Sequence, residues 1–302
     1  MRELSLNRRN LFLLAGCLCV LVAGFMLALS LHGRSPQKAS YPIQRHIQYS
    51  FTLQNRTNHL VRNAEFWAHA PVRETANQRC ELLEVSHPYQ LQADDLGNQT
   101  LYFQLQELPP FATVIISVKA TLSLSDTPNI VLIPNLQAYL QPEPFCEADA
   151  PEITRLAATF SSGKPSDAAE KIFNWVASNI QYSGYLRNER GALYALKNHQ
   201  GDCTEFMYLF AALCRAGQIP ARNVGGYVCS GNTVVKPNDY HNWAEFHDGK
   251  AWRIADPQRK MFMKDPSHYV AMRVVGKSTQ DPLAGFHRFR YEGDGLKVRM
   301  NG

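Results

Sequence analysis

The sequence predicts an α+β protein in which a β-sandwich precedes helices packed on an antiparallel β-sheet, with a transmembrane helix ahead of both. Three observations support this prediction. An uncharged apolar run extends from Leu11 to Leu31. Apolar and polar residues alternate between 41 and 125, which is the period of half-buried strands. Apolar residues at helical spacing begin only after residue 150.

The N-terminal segment, residues 1–33, predicts a membrane anchor. Its apolar run is long enough to cross a bilayer as a helix. Arg8 and Arg9 stand before the run and no comparable basic cluster follows it directly. Because positive charge stays on the cytoplasmic side, the rest of the chain is expected outside the cytoplasm, in the periplasm if the source is Gram-negative.

Two other interpretations of this segment remain open. Ala28-Leu29-Ser30 has the small residues of a signal-peptidase site, so a cleaved signal peptide competes with a retained anchor. Cys17 stands in a sequence that resembles a bacterial lipoprotein cleavage box, but a long apolar run follows it where a polar tether is expected. The length of the run favours the retained anchor.

Residues 34–125 are predicted to form the β-sandwich, because their alternating runs are separated by turn-like segments. The clearest alternating runs are Ile47–Leu53, Leu101–Leu105 and Val114–Leu124. Asn55 and Asn98 begin Asn-x-Thr sequons, and we interpret both as turn residues.

A connector and a second domain follow. Residues 126–150 hold several prolines, as expected of an irregular linker. Residues 151–275 are predicted to form the core of helices on a sheet, and 276–302 a C-terminal extension. In the core, Asp167 and Glu170 predict a capping box at the start of a helix that ends near residue 181.

Charge and cysteine content narrow the possible functions. The net charge of +5 over 302 residues is mild and the basic residues are scattered, so no nucleic-acid partner is expected. Outside the apolar run five cysteines remain, an odd number that leaves at least one unpaired. Cys80 could pair with Cys146, although sequence cannot fix the connectivity. No Cys and His cluster has zinc spacing, and no metal or cofactor is predicted.

Cys203 stands where a helix is predicted to begin. Asp202 as N-cap and Glu205 three residues later form a capping box, and Gly217 marks the end of the helix. Free backbone N–H groups and the helix dipole at such an N-terminus favour a thiolate, the nucleophilic form of cysteine. The other cysteines lack this setting, so Cys203 is the candidate nucleophile.

His241 and Asp256 are predicted on adjacent antiparallel strands. His241 begins one strand, Asp256 ends the next, and Asp248-Gly249 forms the hairpin turn between them. Neighbouring strands can place an imidazole beside a carboxylate, which would orient the ring toward the thiol. Trp243 and Trp252 are expected to pack beneath these strands.

These motifs resemble the core of the transglutaminase-like superfamily, a group of papain-like cysteine enzymes. The resemblance rests on three segments in order: Gly201-Asp202-Cys203-Thr204-Glu205, His241-Asn242-Trp243-Ala244-Glu245 and Trp252-Arg253-Ile254-Ala255-Asp256-Pro257. It covers roughly residues 166 to 257. The resemblance implies that Cys203 is the nucleophile, His241 the general base and acid, and Asp256 the orienting carboxylate.

Two departures favour the bacterial members, many of which look exported or membrane-anchored with an added β domain. Animal cross-linking enzymes typically carry Trp directly after the nucleophile, where this chain has Thr204. No run of calcium ligands is evident either. The backbone N–H of Cys203 is one natural oxyanion donor, and Tyr182, Tyr185 or Gln200 could supply a second.

The resemblance implies an enzyme that attacks an amide through a thioester on Cys203, with a protein or peptide substrate or a cell-envelope component. Hydrolysis by a peptidase or amidase is favoured over transamidation of glutamine side chains. A non-catalytic module that binds peptides or cell-wall fragments, and a membrane-tethered scaffold, are the alternatives from other classes. The substrate, the acyl acceptor and the oligomeric state are beyond the sequence.

Overall fold

The computed structural model describes residues 39–131, 135–161, 163–185, 188–276, 281–283 and 288–302. The predicted anchor in residues 1–33 lies outside these ranges. Within them, no helix combines the length and the apolar character needed to cross a membrane. Residues 40–302 form one compact unit, and the description below concerns that unit.

Six strands occupy the first part of the unit. They are β1 (Ile43–Asn55), β2 (Val61–Ala70), β3 (Gln78–Val85), β4 (Gln90–Ala93), β5 (Gln99–Leu108) and β6 (Thr113–Leu124). Their burial alternates along the chain as the period-two pattern predicts, most regularly in β1 and β6.

Helices and further strands follow. They are α1 (Pro151–Ala158), α2 (Pro165–Asn179), β7 (Gln181–Tyr182), α3 (Ala192–Asn198), β8 (Gln200–Gly201), α4 (Cys203–Ala216), β9 (Ala221–Val228), β10 (Thr233–Val234), β11 (Tyr240–His247), β12 (Trp252–Asp256), β13 (Met261–Phe262), β14 (Tyr269–Val275), β15 (Phe289–Glu292) and β16 (Leu296–Met300). Short 3₁₀ turns at Leu136–Leu140, Pro237–Asp239 and Pro266–His268 complete the regular structure.

The early strands divide between two sheets that share one apolar cluster. The first sheet runs β10-β1-β6-β3 with β16 also paired to β1, and the second runs β15-β2-β5-β4. Phe51 of β1 meets Phe66 of β2 with ring centroids 5.0 Å apart, in an edge-to-face arrangement typical of packed aromatic cores.

Both sheets also take strands from far along the chain. β15 and β16 come from the predicted C-terminal extension, residues 276–302, and β10 comes from the loop after β9. Five consecutive residues of β16 pair with β1. The C-terminal extension therefore supplies one strand to each of these two sheets. The β region thus depends on chain segments that lie beyond residue 125.

The helices pack on a third sheet with the strand order β13-β12-β11-β9-β14, in which all neighbours are antiparallel. Helix α4 lies across β11, where Phe210 meets Phe246 with centroids 6.2 Å apart. Helices α1, α2 and α3 surround α4, so nearly all of its residues are buried. This α+β arrangement agrees with the predicted helix on an antiparallel sheet.

One local prediction was wrong, and the pairing of Cys80 with Cys146, which the sequence left open, is not formed. Helix α2 begins at Pro165 after Lys164, with Asp167 in its first turn, so Asp167 and Glu170 form no capping box. Proline suits the first helical position because its fixed φ matches the helix and its missing N–H is not needed there. The described cysteines are all free, since Cys80 packs on the apolar core of the β strands and Cys146 lies in the core around α4.

The asparagines of the two sequons are buried. Asn55 is the last residue of β1, so the turn predicted there begins after it, and Asn98 lies between the turn at residues 95–96 and β5. Asn55 donates its amide to the carbonyls of His59, Leu108 and Pro109. Asn98 donates to Asp94 and to the carbonyl of Val274, and its Oδ1 accepts the N–H of Val274 at 2.6 Å. Asn98 thereby ties the β4–β5 turn to β14 of the third sheet.

Replacing Asn98 by Ala is expected to destabilise the chain. It leaves the buried N–H and C=O of Val274 without partners, so the free energy of unfolding should fall by about 2 to 3 kcal/mol. Urea unfolding followed by tryptophan fluorescence measures this loss. Asn58→Ala, at an exposed turn position, is the control and should stay within about 0.5 kcal/mol of the parent chain. Equal effects of the two substitutions would contradict this role for Asn98.

Candidate active site at the start of helix α4

The start of α4 is built as the sequence predicts. Asp202 accepts the backbone N–H of Thr204 at 2.8 Å, and Glu205 reaches back to accept the N–H of Asp202 at 3.0 Å. This capping box makes Cys203 the first residue of the helix. A Cβ at position 201 would overlap the Glu205 side chain, so Gly201 is what lets the glutamate fold back.

Glu205 also fixes the segment that precedes α3. Its second oxygen accepts the backbone N–H of Arg190 at 2.9 Å, and the side chain is almost fully buried. Burial raises the pKa of Glu205, although the two accepted N–H groups act in the opposite direction. One buried carboxylate therefore holds two backbone segments around the thiol.

A second contact joins the helix start to the third sheet. Asn242 of β11 donates its amide to Thr204 Oγ1 at 2.9 Å, and both residues are buried. Because successive side chains of a strand point to opposite faces, Asn242 faces the helix while its neighbour His241 lies on the other face. The strand is thus fixed to the helix one residue away from the imidazole.

His241 and Asp256 are in direct contact, as predicted. Nε2 of His241 lies 2.7 Å from Oδ2 of Asp256, and both side chains are buried. The register of β11 and β12 pairs Ala244 with Ala255, so Asp256 comes opposite Trp243 and diagonal to His241 on the same face. Trp243 stacks on the imidazole with ring centroids 6.4 Å apart.

Trp243 and Trp252 are buried packing residues, as predicted. Trp243 packs against His241 and Tyr269, and Trp252 lies against Tyr139. A side chain at Gly226, which pairs with His241 across β9 and β11, would overlap the Val270 carbonyl and press on Trp243. The glycine lets the indole and the imidazole stack over the strand.

Asp256 accepts hydrogen bonds from three donors. Besides His241, the hydroxyl of Tyr269 donates to Oδ2 at 3.0 Å, and the backbone N–H of Arg259 donates to Oδ1 at 3.2 Å. The carboxylate is about 1% exposed. A buried carboxylate with this set of donors is held in one orientation.

The surroundings of His241 favour its protonated form. Burial lowers the pKa of the imidazole, but hydrogen bonds to Asp256 and Cys203, together with their negative charge, outweigh it and raise the pKa to about 9. Since Nε2 is occupied by Asp256, Nδ1 is the ring nitrogen left for the thiol. The structure therefore brings together the three residues predicted from sequence.

Cys203 lines two hollows, one on each side. The imidazole-side hollow measures about 370 Å³ and the helix-side hollow about 440 Å³. Asn238 and Tyr240 line both hollows together with the thiol. The imidazole-side hollow includes His241 and Tyr182, and the helix-side hollow includes Asn242 and Arg288. The half-buried thiol is thus reachable from an open cleft.

The rim of this cleft, residues 229–239, is held by the β sheets. Val235 N–H donates to the Gln48 carbonyl of β1 at 2.9 Å, and β10 pairs with β1 in parallel. Arg45 of β1 donates to the Cys229 carbonyl, and Arg288 donates to the Pro237 carbonyl at 2.7 Å. This loop is therefore anchored by contacts from β1 and from Arg288.

The three side chains predicted as oxyanion donors do not converge. Tyr182 lines the imidazole-side hollow and Tyr185 lines the helix-side hollow. Gln200 lines neither hollow and donates its amide to Tyr194 at 3.2 Å. The backbone N–H of Cys203 lies in the first turn of α4, where such groups have no partner within the helix, and it remains the candidate oxyanion donor.

Sequence reasoning missed Tyr269 and the contact between Asn242 and Thr204. Tyr269 begins β14, which is three strands away from β12 in the sheet order. No local sequence pattern indicates that Tyr269 contacts Asp256. The contact of Asn242 with α4 could have been predicted, because Asn242 follows His241 directly and strand alternation turns it toward the helix. Among the described residues, no group of three or more His, Cys, Asp or Glu side chains is arranged to hold a metal ion.

Comparison with known proteins supports the predicted core. The family model of the transglutaminase-like superfamily matches residues 154–257. None of the curated proteins matches the chain. A candidate cysteine protease from Cytophaga hutchinsonii is 20% identical over 85% of this chain and 91% of its own, with a TM-score of 0.55. Because the identity is low, this likeness speaks for the fold alone.

Two further solved structures match less closely. The periplasmic domain of TgpA from Pseudomonas aeruginosa is 16% identical and covers 74% of this chain and 90% of its own, with a TM-score of 0.38. A candidate protease from Parabacteroides distasonis is 11% identical and covers 71% of this chain and 43% of its own, with a TM-score of 0.31.

The raised pKa of His241 predicts a pH-dependent contribution to stability. Because the folded-state pKa of about 9 exceeds the unfolded value of about 6.5, the contribution is complete below the unfolded pKa and is lost as pH rises through the folded pKa. The unfolding free energy of the parent chain relative to His241→Gln should therefore fall by up to about 3 kcal/mol between about pH 6 and pH 10. Urea unfolding at several pH values measures the difference. A difference that is constant with pH would contradict a stabilised imidazolium.

Proposed function

Because residues 154–257 match the family model of the transglutaminase-like superfamily, we propose that this chain is a cysteine-dependent hydrolase of amide bonds in peptides. Cys203 is the nucleophile, His241 is the general base and acid, and Asp256 orients the imidazole. The observation that carries the proposal is the buried 2.7 Å contact between His241 Nε2 and Asp256 Oδ2, on a ring that lines the same hollow as Cys203.

The first half of the proposed reaction forms a thioester. Nδ1 of His241 accepts the proton of the Cys203 thiol and, because the pKa of the ring is raised, holds it as imidazolium while the sulfur attacks the amide carbon. The carbonyl oxygen gains the electron pair of the C=O bond and accepts the backbone N–H of Cys203. As the C=O bond re-forms, the C–N bond breaks. The imidazolium gives its proton to the departing amine.

The second half regenerates the thiol. His241 takes a proton from water, whose oxygen attacks the thioester carbon. The C–S bond breaks, the acid product leaves, and the proton returns to sulfur. Asp256 accepts the Nε2–H throughout, so it fixes the tautomer that presents Nδ1 to the thiol.

The two hollows on either side of Cys203 suit the two parts of an amide substrate. One hollow would hold the acyl part and the other the amine part, with the scissile carbonyl over the sulfur. Most side chains lining both hollows are polar, so water has access to the thioester. This favours hydrolysis over transamidation to an amine, and the description of the Cytophaga hutchinsonii protein as a candidate cysteine protease agrees with it.

Transamidation and a non-catalytic role are the alternatives. Transamidation would give a product in which an added primary amine, such as glycine methyl ester, is joined to the acyl group in preference to water. A binding module would leave Cys203 no more reactive than the other thiols. Both outcomes are visible by mass spectrometry of the products and of the labelled chain.

Selective alkylation tests the role assigned to Cys203. Iodoacetamide at neutral pH should modify Cys203 faster than any other cysteine, because the imidazole draws the proton away from that sulfur. His241→Gln should slow this modification by roughly tenfold or more, a loss in the range typical of general-base removal. Peptide mapping by mass spectrometry gives the rate at each cysteine.

The control for this experiment is Cys80→Ala, which removes a half-buried thiol from the β strands and should leave the rate at Cys203 unchanged. Equal alkylation rates at Cys203 and Cys80 in the parent chain would contradict the assignment of Cys203 as the nucleophile. An alkylation rate at Cys203 that His241→Gln does not change would contradict the role of His241.

We further propose that the enzyme acts outside the cytoplasm, tethered by residues 1–33. The support is the uncharged apolar run with arginines before it. Alkaline phosphatase, which folds only where its disulfides can form, should be active when fused after Ser40 in a bacterial host. The same fusion lacking residues 1–33 should be inactive and is the control. Activity of both fusions, or of neither, would contradict this topology.

A further inference from the structure

Tyr269 is a buried tyrosine whose hydroxyl reaches the carboxylate of the proposed active site. It begins β14, while Asp256 ends β12, and β9 and β11 lie between the two strands. The ring packs edge-on against Trp243 with centroids 5.1 Å apart. From there the hydroxyl donates to Asp256 Oδ2 at 3.0 Å. Tyr269 therefore reaches Asp256 while packed on Trp243 of β11, the strand that carries His241.

The oxygen that Tyr269 contacts is the one that binds His241. Oδ2 accepts from both the hydroxyl and Nε2, whereas Oδ1 accepts the Arg259 N–H. The hydroxyl and the imidazole thus share the electron density of a single oxygen. A donor on Oδ1 alone could fix the position of the carboxylate without competing directly with the imidazole.

Resting on the function proposed above, we propose that Tyr269 is a positioning residue for His241, acting through Asp256. Its hydroxyl has two effects. It holds Oδ2 in line with Nε2, which keeps Nδ1 directed at the thiol. It also withdraws electron density from the shared oxygen, which moderates how strongly the carboxylate stabilises the imidazolium. Tyr269 itself touches neither the thiol nor the cleft.

The sign of the second effect follows from hydrogen-bond chemistry. A carboxylate that donors already satisfy is a weaker base toward a further partner. Removing the Tyr269 hydroxyl concentrates negative charge on Oδ2, so the imidazolium is bound more strongly and the pKa of His241 rises. A stronger donor at the same position lowers that pKa.

Among the described residues, the charged and titratable groups around this pair can be named. His241 is faced by Asp256 from β12 and by Cys203 from α4, and Asp239 and Arg259 line the same hollow. Tyr269 is faced by Asp256, by Arg259 from the turn after β12 and by Asp265 from the segment before β14. Burial and the negative charge of Asp256 both raise the pKa of Tyr269, so its hydroxyl remains a proton donor throughout the pH range of the test.

The test measures the titration of His241 in the full chain with Cys203→Ala and ¹⁵N-labelled histidine. The His241 signal is identified by its loss in a His241→Gln variant. Tyr269→Phe, which removes only the hydroxyl, should raise the midpoint of the titration by about half a unit to one unit. 3-Fluorotyrosine at position 269 has a more acidic hydroxyl, donates more strongly and should lower the midpoint.

Tyr49→Phe is the matched control. Tyr49 is also buried and also donates its hydroxyl, to the carbonyl of His69 at 3.1 Å, in the core of the β strands. Tyr49→Phe removes the same atom from a buried site and should leave the His241 midpoint unchanged. The fluorinated variant keeps the hydroxyl, so it reports on the proposal even if Tyr269→Phe fails to fold.

The opposite shifts from the two changes at position 269, with no shift from Tyr49→Phe, are the expected result. A midpoint that neither change moves would show that Tyr269 only fills space and would overturn the proposal. Shifts of the same sign from both changes would overturn it as well. Because the protein in this test lacks the thiol, the outcome does not depend on whether Cys203 reacts. The alkylation experiment tests the reactivity of Cys203 separately.

Discussion

The hydrogen bond between His241 Nε2 and Asp256 Oδ2 is the interaction on which the proposed chemistry depends. It joins two strands whose turn and register are set locally, and it keeps Nδ1 available to the thiol. Burial alone would make the imidazole a weaker base. Asp256 and Cys203 together reverse this effect and raise the pKa of His241 to about 9. The capping box of α4 places the thiol, and the strand pair places the base.

The β sheets are connected to this site through the cleft rim, residues 229–239. Contacts from Gln48 and Arg45 of β1 hold one side of the rim, and Arg288 before β15 holds the other. Asn98 adds a link from the β4–β5 turn to β14, the strand that Tyr269 begins. A change in packing between the β strands would therefore reach the cleft through backbone contacts. This gives the β region a physical role in shaping the site.

The parts of the structure that sequence predicted are those whose causes are local. Asp202, Gly217 and the Asp248-Gly249 turn act within a few residues, so the helix that carries Cys203 and the hairpin behind His241 were predictable. The contributions of β10, β15 and β16 were not, because a short strand carries no sign of which distant strand it joins. The contact of Tyr269 with Asp256 could not be predicted for the same reason. The start of α2 was misplaced because Pro165 competes with Asp167 as a start signal, and sequence alone did not rank them.

Acylation by p-nitrophenyl acetate tests most directly whether Asp256 and His241 activate Cys203. The chain should release p-nitrophenol in a burst of about one equivalent, as expected for a covalent acyl-enzyme, with the acetyl group found on Cys203 by mass spectrometry. Asp256→Asn keeps the size of the side chain but supplies a weaker acceptor for the imidazole, and it should slow the burst by roughly a hundredfold or more. A burst of unchanged rate in Asp256→Asn, or acetyl groups found on lysines and absent from Cys203, would contradict the account.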